Sequence, residues 1–200
     1  MIIVFARAPV PGRTKTRLIP RLGAWGAARL QARLTRHALA TAIAARCGGV
    51  ELHGTMRHAF FVSLGGTFVM QRGDDLGARM YRALAQARRP AIIIGTDCPE
   101  LRPADLRRAM RWLRGGYDAV LAPAEDGGYA LIGMRRVSPA FFEGIRWGSE
   151  TVYAETARRL STAGWRWRAL RTVWDVDRPA DLDRLRWPRI SSALRRRAPR

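Results

Sequence analysis

The chain has 200 residues, of which 48% are hydrophobic and 26% are charged. These values are typical of a soluble globular protein, and the length suits one domain with a full core. No apolar stretch reaches the roughly 20 residues that a membrane-spanning helix needs, and we see no signal-peptide pattern. We therefore expect a cytoplasmic protein in which the two cysteines, Cys47 and Cys98, are reduced thiols.

The formal net charge is +20, from 36 Lys plus Arg against 16 Asp plus Glu. Such a surplus suits nucleic acid, a membrane surface or a polyanionic substrate, or it reflects a general drift of composition toward arginine. Residues 1–50 carry eight Arg, one Lys and no carboxylate. A second basic run, residues 187–200, is predicted to be a frayed tail. The N-terminal excess is therefore the part that suggests a function.

Apolar periodicity and breaker residues predict strands that alternate with helices along the chain. Strands are predicted at residues 2–6, 50–53, 67–71, 91–94, 119–122, 129–134 and 165–170. Helices are predicted at residues 24–47, 76–88, 103–113, 150–163 and 180–185, and residues 56–64 are ambiguous. This alternation indicates a single domain, residues 1–186, built as a three-layer α/β/α sandwich. Its sheet is expected to be mostly parallel and Rossmann-like, with the first strand central and beside the strand at residues 91–94.

The only lysine of the chain, Lys15, lies in the segment FARAPVPGRTKTRL at residues 5–18, directly after the first strand. A compact ammonium can act as a point charge on a phosphate, which a planar guanidinium does less readily. Chance is the alternative, because an arginine-rich composition can leave one lysine at random. The setting of strand, Pro/Gly loop, cations and helix favours a phosphate site.

Two of the few carboxylates follow predicted strands directly, Asp97 after residues 91–94 and Asp126 after residues 119–122. Ligands of open α/β sheets bind at the carboxyl ends of strands. We therefore expect these carboxylates to share one crevice, and one sheet edge, with Arg13, Lys15 and Arg17. The cations would neutralise a phosphate, and the carboxylates would hold a divalent ion.

Each of these carboxylates also has a purely structural interpretation. Asp97 could form a turn before a helix, and Asp126 a hairpin turn with the two glycines that follow it. Asp177 could be the N-cap of the last helix, and Asp75 is best interpreted as a helix cap. These alternatives stay open at the level of the sequence.

Several known motifs are excluded, namely the P-loop, G-x-G-x-x-G, H-E-x-x-H and G-x-S-x-G. Two cysteines cannot build a zinc cage. The run WRWR at residues 165–168 could stack on nucleic acid bases. A strand that buries both tryptophans and exposes both arginines is the simpler interpretation.

Five segments, in this order, resemble one protein family. They are FARAPVPGRTKTRL (5–18), DLGARM (75–80), GTDCPEL (95–101), PAEDGGY (123–129) and DVDRPADL (175–182). The family is the bacterial glycosyltransferase-like family of unknown function that includes proteins assigned to arsenosugar biosynthesis. It belongs with the GT-A, nucleotide-diphospho-sugar transferase superfamily, and the guanylyltransferases of molybdenum cofactor and of phospholactate are more distant relatives. The resemblance covers residues 1 to about 186 and implies a GT-A fold.

The resemblance also implies roles for individual residues. The residues implied to bind the nucleotide and its phosphates are Ala6, Arg7, Gly12, Arg13, Lys15, Thr16, Arg17 and Arg79. The residues implied to lie beside the transferred group or the acceptor are Gly127, Gly128, Tyr129 and Trp147. Where the family usually has Trp-Ser-Thr, this chain reads WGSET at residues 147–151.

Asp97 resembles the metal-holding aspartate of the superfamily. The Asp-x-Asp motif is reduced here to Asp97 followed by Cys98, so a second carboxylate is needed, either Asp126 or Asp177. We expect Lys15, Asp97 and Asp126 to be the catalytic residues.

We expect a Mg²⁺- or Mn²⁺-dependent transferase that acts on a nucleotide-activated substrate and a small-molecule acceptor. The first interpretation is glycosyl transfer from a nucleotide-diphosphate sugar, with cations stabilising the departing diphosphate. The alternative is nucleotidyl transfer, in which an acceptor phosphate attacks a nucleoside triphosphate and pyrophosphate leaves. A third, less favoured interpretation is a basic nucleic-acid-binding module, whose salt-sensitive binding would be indifferent to Lys15.

Overall fold

The computed structural model of the chain describes residues 1–185, so the predicted basic tail at residues 187–200 lies outside the described residues. Seven strands form one sheet with the order β3-β2-β1-β4-β6-β5-β7. The strands are β1 (Ile2–Ala6), β2 (Val50–Gly54), β3 (Thr67–Met70), β4 (Ala91–Ile94), β5 (Ala119–Pro123), β6 (Tyr129–Met134) and β7 (Trp167–Ala169). The domain boundary at residue 186 stays a prediction.

The sheet is mostly parallel, as the sequence predicts. Only β6 runs antiparallel to its neighbours, β4 and β5, whereas the other four strand pairs are parallel. The reversal follows from the short turn that joins β5 to β6, because parallel strands need a long crossover connection. β1 lies inside the sheet and pairs with β4 in the register Ile2↔Ile92, which confirms the predicted neighbours.

The helices are α1 (Ile19–Ala45), α2 (Ala59–Val62), α3 (Leu76–Gln86), α4 (Pro103–Arg114) and α5 (Val152–Thr162). The predicted start of the first helix at residue 24 reflects a real break, since Gly23 has a non-helical φ of 68° inside α1. The ambiguous segment at residues 56–64 contains the short helix α2. The predicted last helix, residues 180–185, is instead a 3₁₀ turn at Pro179–Arg184.

Two apolar layers cover the two faces of the sheet. Ile2 and Val4 of β1 point into a core shared with α1 and α4, whereas Ile3 and Phe5 point into a core shared with α3 and α5. Because β1 is buried on both faces, its sequence is a continuous apolar run rather than an alternating one. The predicted three-layer sandwich is confirmed, and its central strands end at the edge where residues 7–18 begin.

Other sequence-based expectations have mixed outcomes. The tryptophans of the WRWR run are half-buried, and its arginines are exposed and lie over the rings of Trp112 and Tyr117. Cys47 and Cys98 are free thiols. Within residues 1–185, no helix combines the length and the apolar character needed to cross a membrane.

Candidate active site

The loop after β1 and the chain after β4 meet at the carboxyl edge of the sheet. The Nζ atom of Lys15 lies 3.0 Å from Oδ1 of Asp97. These residues are 82 positions apart in the sequence (97 minus 15), and the parallel pairing of β1 with β4 brings their strands side by side. The prediction that Lys15 and Asp97 share one sheet edge is therefore confirmed.

The Lys15 ammonium points into the protein and is not free in solvent. Its side chain is 3% exposed, and Nζ also donates a 2.5 Å hydrogen bond to the carbonyl oxygen of Val176. The Lys15 backbone is left-handed, with φ 48° and ψ 43°. That conformation costs a non-glycine residue about 1–3 kcal/mol and is found preferentially at functional sites. The loop is thus held in a strained shape that places the ammonium against Asp97.

Asp97 is fixed on one side and open on the other. Its side chain is 50% exposed, and both described side-chain contacts fall on Oδ1, from Lys15 and from the Thr96 hydroxyl at 3.2 Å. Its backbone oxygen accepts a hydrogen bond from Val176 N at 2.8 Å. The following helix, α4, is capped by Asp105, so the Asp97 carboxylate is not needed as a cap. It is available to a ligand.

The segment at residues 175–184 lies across the basic loop. Arg17 forms an ion pair with Asp177, and Arg21 forms one of 2.6 Å with Asp183. The N-cap interpretation of Asp177 is wrong, because Asp181 accepts the hydrogen bonds at the start of the 3₁₀ turn. The structure thus brings the predicted metal ligand Asp177 to the predicted phosphate cation Arg17.

The other predicted phosphate contacts differ in their surroundings. Arg7 and Arg13 are exposed and form no ion pair with any described residue. Arg79 is half-buried, and its Nε donates a 2.9 Å hydrogen bond to the oxygen of Gly73. Asp75 caps α3 by accepting from Ala78 N at 2.7 Å, which confirms its structural interpretation. Arg7 and Arg13 are therefore the cations that are free to meet an anion.

The Asp126 turn combines a structural role with an exposed charge. Asp126 accepts a 2.9 Å hydrogen bond from Gly128 N, as the hairpin interpretation predicts, and its side chain stays exposed. Gly127 has φ 84°, and a Cβ there would lie 2.0 Å from the oxygen of Glu150. Tyr153 N also donates to the oxygen of Gly127 at 2.9 Å. The turn is thus packed directly against the chain that precedes α5.

Trp147 belongs to that stretch of chain and packs against Gly77 at the start of α3. Its ring makes an edge-to-face contact with the ring of Tyr129, and the two ring centroids are 6.3 Å apart. Its Nε1 is buried without a hydrogen-bond partner among residues 1–185, and a Cβ on Gly77 would lie 2.6 Å from it. Burial raises the pKa of Tyr129. The residues predicted for the acceptor side, Tyr129 and Trp147, are therefore in contact with each other.

Asp175 is a candidate site residue that the sequence did not indicate. Burial, with added repulsion from Asp126 and Asp177, raises its pKa to about 6. Burial also raises the pKa of the neighbouring Cys98 thiol, and the negative charges of Asp97, Asp175 and Asp126 add to that shift. The parallel bridge between Ala124 and Val173 brings the segment that carries Asp126 beside the segment that carries Asp175. No local pattern in the sequence signals that bridge.

The donor set can be compared with the needs of a divalent ion. No group of three or more His, Cys, Asp or Glu side chains within residues 1–185 is arranged to hold a metal. Mg²⁺ commonly uses one or two carboxylates and takes its remaining oxygens from substrate phosphates and water. Asp97, with Asp126 or Asp175, whose charges act on the same Cys98 thiol, fits that limited requirement. Asp177 pairs with Arg17 through Oδ2, so its Oδ1 is the oxygen left for a metal.

Comparison with known proteins gives three relevant similarities. The family described as "Uncharacterized protein conserved in bacteria (DUF2064)" matches residues 29–149. The crystal structure of a Desulfovibrio desulfuricans G20 protein, assigned as a nucleotide-diphospho-sugar transferase, is 32% identical, with a TM-score of 0.85 over 98% of this chain and 89% of that one. A phosphoenolpyruvate guanylyltransferase from Thermomonospora curvata is 39% identical over 106 residues, which are 50% of this chain and 43% of that protein.

A more remote structure, Rv0371c of Mycobacterium tuberculosis H37Rv in complex with manganese, has 18% identity and a TM-score of 0.56. The match covers 92% of this chain and 96% of that one. Similarity at this level shows the fold alone. The fold is that of the nucleotide-diphospho-sugar transferase-like proteins, and this chain spans less than half the length of the curated guanylyltransferase that it matches.

Proposed function

Because the chain belongs to the bacterial family DUF2064, we propose that it is a divalent-metal-dependent transferase acting on a nucleotide-activated substrate. The observation that carries this proposal is the 3.0 Å contact between Lys15 and Asp97 at the carboxyl edge of the sheet. One carboxylate oxygen faces a buried cation, and the side chain remains half exposed. That arrangement suits a ligand that carries both a divalent ion and phosphate oxygens.

The basic loop supplies the groups that bind the phosphates. Arg7 and Arg13 are exposed cations that can pair with phosphate oxygens through charge-assisted hydrogen bonds. Gly12, which has φ 78°, lets the backbone turn closely around an anion, and Ala6 and Thr16 flank that turn. Lys15 acts from behind, because it holds Asp97 and adds positive charge where little water reaches.

A bound Mg²⁺ or Mn²⁺, held by Asp97 with Asp126, Asp175 or Asp177, would neutralise charge on the leaving diphosphate. The loop arginines would stabilise the same charge through direct contacts. In the structure Arg17 Nη1 is paired with Asp177 Oδ2, so the other guanidinium nitrogens and Asp177 Oδ1 are the atoms that would meet a ligand.

In the leading version of the proposal, the enzyme transfers a sugar from a nucleotide diphosphate to an acceptor. The relative assigned as a nucleotide-diphospho-sugar transferase supports this version, because its similarity extends over 98% of the chain. The turn at Gly127 and Gly128, with Tyr129 and Trp147, would hold the transferred group and the acceptor. The packing of Gly127 on Glu150 fixes the turn relative to the segment that carries Trp147.

Nucleotidyl transfer is the second candidate, and the 39% identical guanylyltransferase supports it. In this reaction the acceptor phosphate forms a bond to the α-phosphate of a nucleoside triphosphate, and pyrophosphate leaves. The same loop cations can serve, because both reactions release a highly charged phosphate group.

Thermal shift and product analysis test the proposal. The protein is incubated with Mn²⁺ and a panel of nucleoside triphosphates and nucleotide sugars. At least one ligand should raise the melting temperature. When Mg²⁺ replaces the paramagnetic Mn²⁺ and a panel of small hydroxyl and phosphate acceptors is added, ³¹P NMR should then show release of either a nucleoside diphosphate or pyrophosphate. These products distinguish glycosyl from nucleotidyl transfer. Failure of every ligand to stabilise the protein would contradict the proposal.

Asp97→Asn isolates the carboxylate. The variant keeps the side-chain shape and removes the charge, so it should abolish metal-dependent ligand stabilisation without unfolding the protein. Glu143→Gln makes the same charge change at an exposed position and should bind as the wild type does. Asp126→Asn, Asp175→Asn and Asp177→Asn identify the second ligand. Normal Mn²⁺-dependent binding by Asp97→Asn would show that Asp97 is only a turn residue.

A further inference from the structure

One fully buried amide lies directly behind the candidate active site. Gln31 of α1 is 2% exposed, and the same face of the helix carries the buried residues Ala27, Leu34 and Ala38. A glutamine in such a position needs hydrogen-bond partners, because an amide buried without them is strongly destabilising. The identity of those partners shows what the residue does.

The Gln31 amide joins the two halves of the site. The Thr14 hydroxyl donates to Gln31 Oε1 at 3.4 Å, and Gln31 Nε2 donates to Thr96 Oγ1 at 3.0 Å. Thr96 in turn donates to Asp97 Oδ1 at 3.2 Å, the oxygen that also receives Lys15. Since Thr14 and Lys15 are adjacent in the chain, these five residues form a closed ring.

The order of donors and acceptors in this ring matches a glutamine amide. Oε1 accepts from the basic loop while Nε2 donates toward the end of β4, so one side chain must provide both groups. A glutamate would lack the donor and a methionine would lack both. The Gln31 amide also donates to Thr35 at 3.4 Å, within its own helix, which holds the amide in place.

We propose that Gln31 is a positioning residue of the candidate active site. It fixes the loop that carries Lys15 against the end of β4, and through Thr96 it holds Asp97 Oδ1 toward the protein. Asp97 Oδ2 is then the oxygen presented to a ligand. The inference rests on the proposed function, because it assigns Gln31 to the geometry of a metal–phosphate site.

Gln31→Met tests the role with little change of volume. The control is Thr41→Val, which alters another buried polar residue of α1 that has no described contact with the ring. The probe is Mn²⁺ with inorganic pyrophosphate, the chemistry common to both candidate reactions, measured by titration calorimetry. Gln31→Met should bind this probe about tenfold more weakly, which corresponds to about 1.4 kcal/mol. Thr41→Val should bind it as the wild type does.

A double-mutant cycle with Lys15→Met separates positioning from general loss of stability. If Gln31 places Lys15, the Lys15→Met change should weaken binding much less in the Gln31→Met background than in the wild type. A residue that only stabilises the fold would give additive effects. Additive effects, or unchanged binding by Gln31→Met, would overturn the inference.

Two further measurements keep the test decisive. Amide hydrogen exchange at residues 10–18 should be faster in Gln31→Met than in Thr41→Val, whether or not any ligand binds. If the wild type fails to bind Mn²⁺-pyrophosphate, the proposed function fails, and equal exchange in the two variants would also overturn the role of Gln31. If Gln31→Met does not fold, Thr96→Val breaks the same ring, and normal binding by that variant overturns the inference.

Discussion

The Lys15 ammonium is held by oxygens from two distant parts of the chain, Asp97 and Val176. The Lys15 side chain is only 3% exposed, so the space around its charged end is small and suits a compact cation with three donors. A guanidinium is larger and presents five donors in a flat fork. In a chain that otherwise uses arginine throughout, this geometry gives a physical reason for a lysine at this one position.

Lys15→Arg should therefore impair ligand binding as completely as Lys15→Met does. We expect both variants to lose ligand-induced stabilisation by Mn²⁺ with nucleotide. Both should also lose about 2 kcal/mol of stability, because the Val176 carbonyl is left without its charged partner. Thermal shift with and without ligand measures both effects. Arg88→Met, which changes an exposed cation, is the control and should change neither. Ligand binding by Lys15→Arg equal to that of the wild type would contradict the steric explanation.

The turn between β5 and β6 and the chain before α5 behave as one packed element. Gly127 has no room for a side chain because Glu150 backbone atoms lie within 2.0–2.5 Å of the position a Cβ would take. Gly148, in the same stretch of chain, has a similar positive φ of 82° but nothing within 4 Å of its Cβ position. An alanine at Gly148 would therefore test backbone strain alone, whereas an alanine at Gly127 would add steric overlap with Glu150.

Gly148→Ala should cost about 1 kcal/mol, the usual penalty for an alanine in left-handed backbone. Gly127→Ala should cost at least about 3 kcal/mol, because the turn must also move away from Glu150. For a chain of this size, each kcal/mol lowers the melting temperature by roughly 2–4 °C. Equal melting temperatures for the two variants would show that the turn is not packed against Glu150 in solution.

Most elements were predictable from the sequence because their signals are local. The continuous apolar run of β1 and the amphipathic pattern of α4 depend only on neighbouring residues. The role of Gln31 was not predictable, since its partners Thr14 and Thr96 come from other segments. A single polar residue on the core face of a helix does not indicate by itself which groups it will contact. The role of Asp177 was likewise unpredictable, because the choice between Arg17 and a helix cap depends on where residues 175–184 cross the loop.

The charge of the molecule predicts two kinds of binding, a general attraction to polyanions and a local contact at the candidate site. The formal net charge of +20 predicts attraction to any polyanion, with an affinity that falls steeply as salt rises. The candidate site adds a local, partly buried contact that screening affects less. A polyanion and a small nucleotide should therefore respond differently to the same substitution.

We expect Lys15→Met to bind a random DNA duplex as the wild type does at 50 mM salt, while it loses Mn²⁺-nucleotide binding. Raising the salt to 200 mM should remove most of the DNA binding in both proteins. Fluorescence anisotropy with labelled DNA and labelled nucleotide measures both affinities. Strong DNA binding together with no nucleotide binding by the wild type would favour the basic-module interpretation instead.

The contact between Lys15 and Val176 spans 161 residues, which has a consequence for synthesis. A ribosome adding 5–20 residues per second needs roughly 8–32 s to make the intervening chain, and during that time the basic loop lacks its later partners. All seven strands have been made by residue 169, before Val176, Asp177 and Asp183 exist. A translation product that ends between residues 169 and 176 would contain every strand of the sheet but not the residues that complete the site.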